Sequence, residues 1–237
     1  MTLFSPPSLD DFIYLLKAWR FWLLGALLGV LLGAAVYTIM PPPYRARATV
    51  NVDFNLEEAW PQDTDRQQFY YLEREARKLE EIAWSDIVIL TVVESVEDKD
   101  ISMSVLRNEK LLLSQPAEGG WHFYADDSDP RRAARLATNW ANAFVLYTQL
   151  GVSNAIELEA QKDLLQKNPN DGAVKKQIAQ LEDLTFGVNP YVQVKLVQEA
   201  EIPPRRSVPL SAYLLTGTVG VWFVSALVVL FFGFGKK

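Results

Sequence analysis

Two apolar stretches decide the fold: FWLLGALLGVLLGAAVYTIMPPPY (Phe21 to Tyr44) and SVPLSAYLLTGTVGVWFVSALVVLFFGFG (Ser207 to Gly235). Neither contains a charged residue, and each exceeds the roughly 20 residues that a helix needs to cross about 30 Å of hydrocarbon. Core helices of soluble proteins rarely run so far without a charge. The sequence therefore predicts a membrane protein with two spans.

The two spans divide the chain into five predicted segments. Residues 1–20 are expected to form an interfacial helix, 21–40 the first membrane helix and 41–206 one polar domain with a single core. Residues 207–235 form the second, proline-led membrane helix, and 236–237 a short tail. Since the number of crossings is even, both termini are expected on one side of the membrane and the domain on the other.

The distribution of charge does not determine which side of the membrane the domain occupies. Basic residues flank each span equally on both sides, as Lys17 and Arg20, Arg45 and Arg47, Arg205 and Arg206, and Lys236 and Lys237. The positive-inside rule therefore does not determine the orientation, because the two sides of each span have equal numbers of basic residues. The chain has 29 Asp and Glu residues, a formal net charge of −6 and nearly all of its acids in the domain. This balance argues against a domain that binds nucleic acid or an anionic headgroup surface.

The domain shows the order of elements of an α+β fold. Alternating and β-branched stretches predict strands, and 3-4 spacing of apolar residues predicts helices. The predicted strands are 44–54, 110–114, 121–125 and 191–197, and the predicted helices are 65–83, 86–96 and a helical hairpin at about 130–186. Pairing of the first and last strands gives a small membrane-proximal sheet from which the hairpin projects.

The long first helix of the hairpin has clear start and stop signals. Asp129 is expected to cap it, with Pro130 at the first helical position, where its missing N–H costs nothing. Gly151 is expected to be a weak point. The helix is expected to end at the turn Asn168 to Gly172, which contains a proline and a glycine.

The residues that usually carry chemistry are scarce. The chain has no cysteine and one histidine, so thiol chemistry, a serine–histidine–aspartate triad and a two-histidine metal site are excluded. His122 is interpreted as an exposed structural residue, and Asp126, Asp127 and Asp129 as turn residues and a helix cap rather than cation ligands. We predict no catalytic residue, no cofactor and no metal site. Four tryptophans of the domain are assigned to the core ahead of a glycan-stacking role: Trp60, Trp84, Trp121 and Trp140.

Small residues in the two spans predict close helix packing. Gly25, Gly29 and Gly33 recur every four residues and therefore share one face of the first membrane helix. Gly217 supplies a similar position in the second.

Four stretches resemble the Wzz-type chain-length determinants, the polysaccharide co-polymerases of bacterial inner membranes. They are Pro43 to Val50 (PYRARATV), Ser85 to Val88 (SDIV), Asp129 to Ala143 (DPRRAARLATNWANA) and Ala200 to Pro209 (AEIPPRRSVP). Their order, with a span at either end, covers nearly the whole chain.

The resemblance implies that both termini are cytoplasmic and that the domain is periplasmic. It also implies a non-enzymatic homo-oligomeric ring or cage that acts beside a Wzy-type polysaccharide polymerase, with the nascent glycan and membrane lipids as further partners. Its proline-rich motif falls on Pro203, Pro204 and Pro209, and Arg205 and Arg206 within it are candidate partner contacts.

Two departures from the family are visible. The domain is shorter than usual, which implies a shortened hairpin, and Leu210 follows Pro209 where a basic residue is common. The resemblance is to the branch without a fused kinase domain, and a separate tyrosine kinase is a further candidate partner.

Three functions follow as alternatives. The first is a scaffold that sets the length of O-antigen, capsule or exopolysaccharide chains. The second is a membrane adaptor that activates a separate cytoplasmic tyrosine kinase, and the third is a periplasmic sensory module. Deletion of the gene distinguishes them, because the first predicts altered glycan length, the second lost glycan with unphosphorylated kinase, and the third unchanged glycan.

Overall fold

A computed structural model describes residues 19–59, 65–96, 101–115 and 120–233. Nearly all of the predicted interfacial helix, the tail at 236–237 and Trp60 lie outside these residues. The chain forms two compact units, one of Met1–Pro43 with Arg205–Lys237, and one of Tyr44–Pro204. We call them the helix unit and the sheet unit.

The helix unit consists of two apolar helices packed against each other, α1 (Trp19–Ile39) and α8 (Leu210–Gly233). Their 21 and 24 residues give lengths of about 31 and 36 Å at 1.5 Å per residue, enough to cross a bilayer. Most of their large apolar side chains are exposed within the unit. A core helix of a soluble domain would be buried, so these two surfaces match the expectation of membrane spans.

The remaining elements belong to the sheet unit. They are β1 (Tyr44–Asp53), α2 (Leu56–Ala59), α3 (Asp65–Ala83), α4 (Asp86–Ser95), α5 (Met103–Val105), a π-helical turn (Leu106–Lys110), β2 (Leu111–Ser114), β3 (Gly120–Asp127), α6 (Pro130–Lys167), α7 (Gly172–Leu184) and β4 (Gln193–Gln198). The α+β class is confirmed, and the bounds differ from those predicted by a few residues at most.

The four strands form one antiparallel sheet in the order β2-β3-β1-β4. The first and last strands of the unit therefore pair as predicted, with Val52 opposite Val194. A register shift between Thr49 and Val50 interrupts this ladder. The position of the sheet next to the membrane stays a prediction, as does the projection of the hairpin away from it.

One face of the sheet is covered by helix α6. Alternate residues of β1 and β3 point inward and are buried, because successive side chains of a strand point to opposite faces. One of them, Phe123, packs edge-on against Trp140 of α6 with ring centroids 4.8 Å apart. Trp140 is fully buried and its indole N–H donates to the carbonyl of Ala83 at 2.8 Å. The assignment of Trp121 and Trp140 to the core is confirmed.

The helical hairpin is built from α6 and α7. The carboxylate of Asp129 accepts the N–H of Arg131 at 2.9 Å and caps α6, and Asp171 caps α7 in the same way. Helix α6 runs through Gly151 to Lys167, as predicted, and the weak point expected at this glycine stays a prediction. A Cβ there would lie 2.8 Å from the carbonyl oxygen of Thr185, so this glycine allows α6 to approach the end of α7 closely.

Candidate functional site

Two of the four family-like stretches come together at one groove of the sheet unit. The groove has a volume of about 660 Å³ and lies between the first turns of α6 and the segment that follows β4. We call it the motif groove. Its lining residues are Asp129, Arg131, Ala134, Arg135, Thr138, Asn139, Glu199, Ala200 and Ile202.

Hydrogen bonds fix both walls of the motif groove. The hydroxyl of Thr138 on α6 accepts the backbone N–H of Ala200 at 3.0 Å, which holds the segment after β4 against the helix. At the next residue, the amide of Asn139 donates to the hydroxyl of Ser95, the last residue of α4, at 2.8 Å. The groove is therefore a fixed feature of the fold, held by residues far apart in the sequence.

The motif groove carries charge of both signs. Arg131 and Arg135 are exposed on α6 one turn apart, and Asp129 and Glu199 supply carboxylates. Guanidinium groups suit carboxylates, phosphates and the hydroxyls of sugars, and carboxylates accept hydroxyl and ammonium donors. The groove thus has the groups for binding a polar partner. Its lining contains no histidine, serine or lysine that could act as a base or nucleophile beside a carboxylate.

A buried carboxylate lies at the start of the same helix. Asp127, the last residue of β3, is 2% exposed and accepts hydrogen bonds from Lys110, from Arg132 at 2.8 Å and from the backbone N–H of Asp129 at 2.9 Å. Burial acts to raise the pKa of this carboxyl. The Asp129 N–H, Lys110 and Arg132 outweigh burial and hold the pKa below its ordinary value. This ion cluster joins β3, the π-helical turn and α6.

The interpretation of Asp127 as a turn residue was therefore wrong, whereas Asp129 is the predicted cap. The sequence contains a signal that was missed. Asp127 follows Trp121, Phe123 and Ala125 at a spacing of two, so it lies on the inward face of its strand. The neighbouring Asp126 faces outward and pairs with Arg45 at 2.6 Å.

The proline-rich segment continues from the motif groove along the chain. It contains neither helix nor strand from Glu199 to Pro209, and α8 begins at the next residue. Within the helix unit, the guanidinium of Arg206 donates to the carbonyl of Pro42 at 2.7 Å, and the N–H of Ser207 donates to the carbonyl of Pro43 at 2.9 Å. Arg205 is exposed. A role of Pro203, Pro204, Arg205 and Arg206 in partner contacts stays a prediction.

The structure places all four predicted glycines at the contact between α1 and α8. A Cβ added at Gly29 would lie 2.5 Å from the Cα of Thr218, and one at Gly25 would lie 3.1 Å from the hydroxyl of Ser225. A Cβ at Gly33 would meet the carbonyl of Tyr213, and one at Gly217 the carbonyl of Gly29. A requirement for these glycines in assembly stays a prediction.

The remaining candidates for a chemical role are His122 and the acidic side chains. His122 lies 3.2 Å from the hydroxyl of Thr49 on the neighbouring strand, and burial followed by the charge of Arg47 lowers the pKa of its imidazole. Among the described residues, no group of three histidine, aspartate or glutamate side chains is placed to hold a metal ion.

Comparison with known proteins gives structural matches alone, since no family model and no curated protein matches this chain. One similar structure is a fragment of WzzB, a polysaccharide co-polymerase from Salmonella Typhimurium. It is 16% identical, and the alignment covers 70% of this chain and 99% of that one with a TM-score of 0.28. Another is a full-length bacterial polysaccharide co-polymerase, 10% identical, with 98% and 100% of the two chains covered and a TM-score of 0.38. Both TM-scores lie below 0.5, so the family resemblance rests on the four sequence stretches.

Proposed function

We propose that this chain is a Wzz-type polysaccharide co-polymerase, a non-enzymatic scaffold of the bacterial inner membrane that regulates the length of a surface polysaccharide. A separate Wzy-type polymerase makes the polysaccharide, which is an O-antigen, a capsule or an exopolysaccharide. The observation that carries the proposal is the motif groove. Two stretches that resemble the family, about 60 residues apart in the chain, line one site that leads directly into the proline-rich segment.

Exposed apolar side chains support a homo-oligomer. Leu146, Leu150 and Leu164 of α6 share one face of the helix and are each about half exposed. Rows of leucine on a long exposed helix are typical of surfaces that a partner covers. In the proposed assembly, a second copy of the chain covers this face.

The proposed orientation is tested with an inserted reporter. The turn Asn168 to Gly172 between α6 and α7 is exposed, so an insertion there should be tolerated. A reporter that is active only in the periplasm should work at this turn and fail when fused after Lys237. The opposite pattern would overturn both the orientation and the family assignment.

The proline-rich segment provides the test of length control. Replacing Pro203 and Pro209 with alanine restores two backbone N–H groups and frees two φ angles, so the segment can become helical. We expect polysaccharide to be made in normal amounts with a shifted or broadened length distribution, measured by gel electrophoresis of the extracted glycan.

Pro169→Ala is the matched control, because Pro169 lies in the exposed turn of the hairpin. It should give the wild-type distribution. Wild-type lengths from a normally expressed Pro203→Ala/Pro209→Ala variant would mean that the segment is only a tether, and the proposed link to the polymerase would be lost.

A further inference from the structure

The motif groove contains two arginines whose charge is not used by another side chain. Arg131 and Arg135 lie one turn apart on α6 and both line the groove. Neither guanidinium has an ion pair or a hydrogen bond within the part of the chain that the structure describes. Arg132 lies on a different face of the helix and binds the buried Asp127. The two lining arginines are therefore open to a ligand.

The spacing of these two arginines suits one negatively charged group. Residues four apart on a helix are neighbours, so both guanidiniums can reach the same carboxylate and match its geometry. The carboxylate of Asp129 is already used, because it accepts the N–H of Arg131 at 2.9 Å and offsets the partial positive charge of the helix N-terminus. The negative charge that complements Arg131 and Arg135 thus comes from a ligand.

The opposite wall of the motif groove favours a sugar. Glu199 is exposed, and it has no ion-pair partner among the described residues. Its carboxylate can accept hydrogen bonds from hydroxyl groups and repels a second negative group. Ile202 is 57% exposed and lies with Ala200 in the same wall, where the two form an apolar surface for the C–H face of a sugar ring. A ligand that fits both walls has hydroxyl groups, an apolar face and a single negative charge.

The net charge of the protein sets the spacing of charges on the ligand. The chain carries a formal net charge of −6, which repels a polymer with a negative charge on every unit. At physiological ionic strength, charges more than about 8 Å apart are largely screened from each other. An isolated negative group in the groove is therefore attracted by the arginines more than it is repelled by distant acids. An acidic protein segment would bring several charges close together.

We infer that the motif groove binds one acidic sugar residue flanked by uncharged sugars, an inference that rests on the proposed function because the ligand is taken to be a polysaccharide. Arg131 and Arg135 bind the carboxylate of this sugar, and Glu199 accepts its hydroxyl groups. The polysaccharide whose length this chain regulates then has an acidic sugar in its repeating unit.

Two monosaccharide probes test this site because they differ in one group. Methyl α-D-galacturonide has a carboxylate where methyl α-D-galactoside has a hydroxymethyl group. Binding of each probe to the full-length protein in detergent is measured by saturation-transfer difference NMR. The wild type should bind the galacturonide about tenfold more tightly, which is the effect of one hydrogen bond to a charged group. Equal binding of the two probes would overturn the assignment of an acidic sugar.

Three variants separate the carboxylate from the rest of the sugar. Arg131→Gln/Arg135→Gln should remove the preference for the galacturonide, and Glu199→Ala should weaken binding of both probes and keep the preference. Lys175→Gln/Lys176→Gln is the matched control, since it removes an exposed basic pair of α7 outside the groove and should behave as the wild type. An unchanged preference in the first variant would show that the two arginines do not hold the carboxylate.

Two competitors distinguish a sugar site from other sites for anions. Neither acetate nor hexaglutamate should displace the galacturonide at the concentration at which the galacturonide itself binds. Displacement by acetate would mean a site for any carboxylate, and displacement by hexaglutamate a site for an acidic protein segment, and either result would contradict a sugar site. These measurements involve no polysaccharide synthesis. Binding can therefore fail while length control persists, and length control can fail while binding persists, so the two failures are distinguishable.

Discussion

The Gly29→Leu variant is expected to separate α1 from α8 while both helices still enter the membrane. A Cβ at this position would lie 2.5 Å from the Cα of Thr218 and 2.6 Å from the carbonyl oxygen of Gly217. These are backbone atoms, so no side-chain rotation relieves the clash. Overpacking of this kind costs about 1 to 3 kcal/mol and more when backbone must move. Leucine itself is favourable in hydrocarbon, so insertion should persist.

An engineered disulfide reports whether the helices remain in contact. The chain has no cysteine, and a Cβ at Gly25 would lie 3.1 Å from the hydroxyl of Ser225. Oxidation of Gly25→Cys/Ser225→Cys should therefore give a cross-link, detected by mass spectrometry. Adding Gly29→Leu should abolish the cross-link, and the detergent-extracted complex should become smaller on sizing.

Gly220→Leu is the control for this experiment. It places the same side chain on α8 where nothing lies within 4 Å, so the cross-link and the assembly size should be unchanged. If Gly29→Leu also leaves both unchanged, the glycines face lipid and close packing is not their role.

The second large effect is expected from Asp127→Asn. The substitution removes the negative charge that faces Lys110 and Arg132, two cations whose side chains are largely buried. Breaking a buried ion pair from one side costs about 3 to 5 kcal/mol, a large fraction of the stability of a single domain. Denaturant unfolding of the full chain in detergent, followed by tryptophan fluorescence, measures the loss.

The same carboxylate predicts a dependence on pH. The folded pKa of Asp127 is lowered, so its contribution is fully present above its unfolded pKa of about 3.9 and is lost as the pH falls through the folded value. The wild-type protein should therefore lose stability below about pH 4, and Asp127→Asn should lose less over the same range.

Asp126→Asn is the matched control for both measurements. Its carboxylate pairs with Arg45, whose side chain is 43% exposed. Pairs on the surface contribute between about 0 and 1 kcal/mol, so this variant should resemble the wild type. An Asp127→Asn protein as stable as Asp126→Asn would mean that the ion cluster does not hold the three elements together.

The local elements followed from the sequence because each has a local cause. Pro41 to Pro43 end the first apolar helix, Asp129 caps α6, and the turn at Asn168 to Gly172 separates α6 from α7. Alternation predicted the strands, and the pairing of the first with the last was also predicted correctly. These features depend on residues that are neighbours in the chain or on the regular spacing of apolar residues.

Contacts between residues far apart in the sequence could not be predicted in the same way. The motif groove exists because Ala200 is bonded to Thr138, and no periodicity relates these two positions. Gly151 illustrates the same limit. A glycine that weakens a helix and a glycine that allows a close contact cannot be told apart in the sequence. The glycine spacing in α1 predicts a packing face, but the identity of the packing partner is known only from the structure.

The strand order has a consequence for the time at which the domain folds. β1 is a central strand, and both of its neighbours are remote in sequence: Val50 pairs with Trp121 on one side and with Leu196 on the other. Topologies with such high contact order fold slowly. While the chain is being made, β1 is the first strand to be synthesised; one of its edges stays open until β3 is made, and the other until the last strand, β4, is made. This interval is the one in which the nascent chain is most exposed to mispairing with another copy.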